Sequence, residues 1–270
     1  MICIYCREPG RDMADSHVIS KFFRNRLTGI VDQKGQKRYS FQWIDRPDLP
    51  KQDLPKPNLL CIEHDNKFGD VIEGLASSLI IPSKSYFLEK NVAPPNWRMA
   101  ELDLSIGESS PISVAYYASP NDVEDDTVNK FAILTAWRAL HALRLDNVIA
   151  VTAFLSSSEG MRVNDETIAF LDVTKKDADL LYPYGAQFYL MGPCFARDIT
   201  GSDEDMPFAY QYLERDGQRC IVVLMGFWVI IWPLLHQDDP KLDFLQVRQM
   251  VFIDWFLKLS DDYRAQSKQR

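Results

Sequence analysis

Two short stretches decide how this chain is read: Met1-Ile2-Cys3-Ile4-Tyr5-Cys6 at the start, and Leu59-Leu60-Cys61-Ile62-Glu63-His64 further on. Each carries two soft ligands separated by two residues, a spacing that lets one tight turn present both to the same ion. Cys3, Cys6, Cys61 and His64 together supply the four donors of a tetrahedral zinc site. A single Cys-x-x-Cys is a weak signal, but two such pairs bracketing one segment are a strong one. Four protein ligands leave no open position on the ion, so this zinc is expected to be structural.

Outward from these pairs, Pro9-Gly10 marks a turn, and Ser16-His17-Val18-Ile19 reads as a short strand enclosed between the ligand pairs. Lys21 to Leu27 reads as a short basic helix. Residues 30–58 read as an insertion, with a strand over Tyr39 to Ile44 and a proline-rich extended loop behind it. After Cys61 a helix is expected to run to Pro82, with Phe68, Val71, Ile72, Leu75 and Leu79 as its apolar stripe. Residues 1–82 are therefore expected to form one zinc-stapled unit.

From Trp97 the text changes. Strands are expected in 99–108 and 111–119, then a long helix capped by Ser119 and running to about Asp146. Strand-like segments follow at 148–155, 186–191, 207–213, 219–225 and 227–234, and an amphipathic helix at 240–260. Strands mixed with a few helices, without regular βαβ alternation, imply an α+β fold with a second unit over 97–270.

Composition bounds the class. Apolar content of 46% and charged content of 25% are those of a globular protein. No basic n-region precedes an apolar run at the start, so no secretory signal is expected. The most apolar run, Cys220 to Leu235, is about 16 residues and is broken by Gly226 and Pro233; a membrane helix needs about 20. It reads as two buried strands. Five cysteines with no leader point to a reducing cytoplasm rather than a disulfide framework, with Cys194 and Cys220 as core thiols. The net charge of −8 is uneven: residues 1–67 hold 12 basic and 9 acidic side chains (+3), the rest 18 and 29 (−11). Any phosphate-binding surface belongs to the N-terminal part.

With these motifs in place, the chain resembles the HNH-type endonucleases of the ββα-metal (His-Me finger) fold. It is most similar to their zinc-ribbon branch in bacteria, which reads C-x-x-C, S-H-I-I-P, then L-L-C-x-x-C and a helix with an acidic residue. The matching positions are Cys3/Cys6, Ser16 to Ser20, Leu59 to His64, and Phe68 and Glu73 in the helix. The segment Phe131 to Arg138 is similar to a later helix of such proteins. The likeness covers roughly residues 1–80. Here Ser16 stands where many HNH enzymes have an acid, Phe68 where they have a last metal ligand, Ser20 where they have proline and His64 where they have cysteine.

The resemblance implies that His17 is the general base. Its imidazole, with an ordinary pKa of about 6.5, suits proton transfer near neutral pH. It implies a catalytic Mg²⁺ or Mn²⁺ on oxygen donors, for which Asp15, Asp65 and Glu73 are the candidates. It implies a nucleic-acid substrate, DNA before RNA, contacted by Lys21, Arg24, Arg26, Lys37 and Arg38. It also implies a setting in anti-phage defence or as a toxin, with a regulatory protein partner. A second reading keeps the zinc ribbon as a non-catalytic module that binds nucleic acid or protein. A third makes Cys3 and Cys6 a redox pair. Phe22 and Phe23 are expected to pack rather than stack on bases, Arg138 to be a buried ion-pair partner, and His141 to be an ordinary histidine of the long helix.

Overall fold

The computed structural model describes residues 1–23, 40–44, 55–80, 97–102, 112–117, 122–172, 186–190, 200, 205–215 and 218–234. Arg24, Arg26, Lys37, Arg38, Cys194, the Ser119 cap and the 240–260 helix lie outside the described residues. The fold mixes helix and strand, as the α+β expectation required. Its strands are β1 (Ser40–Trp43), β2 (Trp97–Leu102), β3 (Ile112–Tyr117), β4 (Gln187–Leu190), β5 (Asp205–Arg215), β6 (Gln218–Met225) and β7 (Trp228–Pro233). They form one seven-stranded sheet in the order β1-β5-β6-β7-β4-β3-β2. Among the described strands only the β1–β5 pairing is parallel; the others are antiparallel.

The long apolar run becomes the centre of this sheet. All of β7 is buried, and so is β6 from Cys220 onward. A strand buried on both faces needs no polar alternation, which explains the unbroken Val, Ile and Trp text. Gly226 splits the run. Its φ of 65° suits a two-residue hairpin turn with glycine first, joining Met225 to Trp228.

The helices are α1 (Ile62–Phe68), a π-helical turn (Gly69–Glu73), α2 (Gly74–Ile80), α3 (Asp122–Leu145), α4 (Ile149–Ser156) and α5 (Ser158–Phe170). Helix α3 packs across β4, β5, β6 and β7 and touches α2, α4 and α5. Phe131, Leu134, Trp137 and Leu140 are buried along it. Phe23 enters from the N-terminal part, with ring centroids 5.7 Å from Phe131 and 5.2 Å from Trp228. Phe23 is completely buried, so it packs as expected and contributes about 2 kcal/mol of burial free energy. One hydrophobic cluster runs from Cys3 through Phe23, Phe68 and Trp137 to Leu234.

Three local expectations are corrected. Residues 148–155 form α4 rather than a strand, and α5 follows it. The β-branched residues Ile149, Val151 and Thr152 suggested strand, but Val151, Phe154 and Leu155 bury one side of a helix against the core. Ser16 to Ile19 is not a strand: Val18 and Ile19 form a bend, and Val18 N–H donates to the Pro55 carbonyl at 3.3 Å. The stripe after Cys61 is Phe68, Ile72, Ala76 and Ile80, with Val71 and Leu75 exposed. The π turn, with its i→i+5 bonds, holds more residues per turn than an α-helix, which moves the buried series to a spacing of four.

Candidate metal centre

The N-terminal loop closes on itself and on residues 57–62. Ile2 bridges Pro9, and Met13 bridges Cys61. Ile4 N–H donates to the Leu59 carbonyl, and Ala14 N–H to the Leu60 carbonyl, both at 2.9 Å. Arg7, directly after Cys6, takes a left-handed φ of 58°, and its N–H donates to the Cys3 carbonyl at 2.9 Å. This folds Cys3 and Cys6 into one tight turn. Cys61 is the N-cap of α1, and Asp65 N–H donates to its carbonyl, so His64 comes off the first turn of that helix.

The result is a cluster. The ligand atoms of Cys3, Cys6, Cys61 and His64 all lie within 4.8 Å of one another. The His64 Nδ1 atom is 3.0 Å from Cys61 Sγ and 4.0 Å from Cys3 Sγ. Zinc–thiolate bonds of about 2.3 Å place tetrahedral sulfurs about 3.8 Å apart, so three thiols and an imidazole at this separation fit zinc. Burial lowers the His64 pKa, favouring the neutral imidazole that a metal requires. Burial pushes the Cys61 thiol up to about 11. Burial also raises Cys3, but the N–H groups of Cys6, Cys61 and Tyr5 outweigh it, and its pKa is lowered. Such N–H···S bonds orient and charge-stabilise a thiolate ligand. Tyr5 shields the cluster, its ring 4.6 Å from His64 and 5.0 Å from Phe68.

Behind this centre lies a charged cluster. Arg138 of α3, almost fully buried, reaches two of the three candidate acids. Its Nη1 pairs with Glu73 Oε1, and its Nη2 lies 3.2 Å from Asp65 Oδ1. Ser20 Oγ donates to the other Glu73 oxygen at 2.7 Å. Both oxygens of Glu73 are therefore committed, and the guanidinium already supplies one positive charge to the pair of carboxylates. In this arrangement Asp65 and Glu73 do not fit a divalent metal. Asp15 is exposed. His17 is half-buried, between fully buried Ser16 and Val18. Ser16, where many HNH enzymes carry an acid, accepts a hydrogen bond from Leu60 N–H at 3.4 Å. Phe68 is wholly buried in the core. Lys21 is exposed at the start of a short helical stretch.

The sequence reading therefore picked out the four residues of the Cys/His cluster and the burial of Arg138. It did not see Ser20 as the link between the His17 segment and Glu73, because nothing in sequence spacing signals a pairing 53 residues apart. No family model matches the chain, and no curated protein or solved structure does. No single helix among the described residues is long and apolar enough to cross a membrane.

Proposed function

We propose that residues 1–80 are a zinc-stapled module of HNH type that binds nucleic acid without cutting it. The observation that carries this reading is the commitment of Asp65 and Glu73 to Arg138. A buried guanidinium between two carboxylates holds both acids, and removing it would strand their charge. Ser16 and Phe68 point the same way, since both do structural work where an active HNH site needs ligands. The excess of basic residues in 1–67 supports nucleic acid as the partner. Zinc would sit on Cys3, Cys6, Cys61 and His64 and supply rigidity, holding the His17 segment against α1.

A second reading, a metal-dependent HNH endonuclease, draws on the Ser20–Glu73 bond, which ties the His17 segment to the acid-bearing helix. In it His17 takes a proton from an attacking water, and Arg138 must first leave the acids. One experiment separates the two. Fluorescence anisotropy with a labelled duplex DNA and an RNA of equal length, at about 50 and 200 mM salt, should show binding that weakens with salt and falls in Lys21→Glu. A plasmid and RNA nicking assay with Mg²⁺ or Mn²⁺ should show no cleavage. Cleavage that disappears in His17→Ala would overturn the non-catalytic reading and establish the second. Absence of binding at either salt concentration would overturn the nucleic-acid assignment.

A further inference from the structure

A cleft of about 720 Å³ lies between the zinc loop and the helices, outside the Asp65–Glu73–Arg138 cluster. Its apolar walls include Ile2, Ile4 and Leu59 on one side and Leu145 of α3 on the other. Its polar side chains include Arg7, Asn58, Arg144, His141 and Asn164. The volume is that of a small-molecule pocket.

The polar wall can be read atom by atom. Trp137 Nε1 donates to Asn164 Oδ1 at 2.7 Å. An indole N–H only donates, so that amide atom is oxygen. His141 Nε2 lies 2.9 Å from the same oxygen and must therefore carry the hydrogen. Its Nδ1 is then a bare acceptor, and Asn164 Nδ2 keeps two N–H donors; neither atom has a hydrogen-bond partner among the described residues. Burial lowers the His141 pKa to about 4, so the ring stays neutral. Arg7 shares its charge with Asp165 of α5. Arg144 is exposed and has no acidic partner among the described residues.

We infer that this cleft binds a small organic anion that combines an apolar body with a hydrogen-bond donor. The anion faces Arg144 and Arg7, the body lies along Ile2, Ile4, Leu59 and Leu145, and the donor meets His141 Nδ1. A nucleoside monophosphate and an N-acylated amino acid both have this chemistry, one ending in phosphate and the other in carboxylate. The inference is independent of nucleic-acid binding by the first 80 residues, because the cleft uses neither His17 nor Lys21.

The test uses the full zinc-loaded chain in titration calorimetry, with AMP and N-acetyl-leucine as separate probes and no nucleic acid present. One of the two should bind saturably at one site per chain, and which one binds distinguishes phosphate from carboxylate. Arg144→Glu, an exposed change, should weaken binding about tenfold or more, as loss of a charge-assisted contact does. Leu145→Asp, also at an exposed position, should weaken it as well. Three results would overturn the inference: neither probe binding at about 10 mM, undiminished binding in Arg144→Glu, or inorganic phosphate binding as tightly as AMP.

Discussion

Arg138 and His141 sit one turn apart on α3, and the burial of each has a different consequence. Arg138 is met by two carboxylates, those of Asp65 and Glu73. His141 is met by a neutral amide and an indole edge, with Trp137 5.2 Å away, so burial drives it to the neutral form. That shift makes stability depend on pH. In the unfolded chain His141 takes a proton near its ordinary value of 6.5; in the folded chain it does so only near 4. Between those values the unfolded state binds the extra proton, so stability falls as pH falls. The full loss is about 3 kcal/mol once pH is below 4. Urea denaturation at pH 7.5 and 5.0 should show this decline, and His141→Gln should flatten it over the same window. An unchanged pH dependence in that variant would show that other groups govern it.

The contact between α4 and α5 depends on one small residue. Ser157 caps α5 by accepting a hydrogen bond from Gly160 N–H at 3.0 Å, which draws that turn onto the end of α4. A Cβ at position 160 would lie 2.0 Å from the Phe154 carbonyl oxygen, a backbone atom that cannot rotate away. Gly160→Ala is expected to destabilise the protein by about 3 kcal/mol, the upper range for overpacking, read as a lower urea midpoint. A loss under about 1 kcal/mol, typical of mild core changes, would mean that α4 and α5 can separate without cost. The π turn at Gly69–Glu73 is a second such device. It shifts the apolar series to Phe68, Ile72, Ala76 and Ile80, and brings Glu73 to Arg138. The sequence shows the helix but not this turn, because its apolar residues also satisfy ordinary 3.6-residue spacing.

For the whole molecule, the Cys3–Cys6–Cys61–His64 cluster joins the two stretches that open and close the N-terminal loop, and that loop also joins the main core. Cys3 and Cys61 belong to the same hydrophobic cluster as Trp137 and Trp228. Metal removal should therefore reach beyond the loop. We expect one zinc per chain by elemental analysis. Chelation should lower the melting temperature and make Cys3 and Cys6 reactive to thiol reagents, because ligand binding energy is folding energy at such sites. A melting curve unmoved by chelation would show that the cluster folds without metal. What the sequence determined by itself was local and periodic. The two ligand pairs, the buried β6–β7 run, the long helix and the packing of Phe23 follow from spacing and hydrophobicity, which short-range geometry enforces. Tertiary structure alone decided which acids meet Arg138, that residues 149–156 are helical, and that Arg7, His141 and Asn164 line one cleft. Those outcomes depend on side chains far apart in sequence, whose burial and charge are settled only when the sheet and helices close around them.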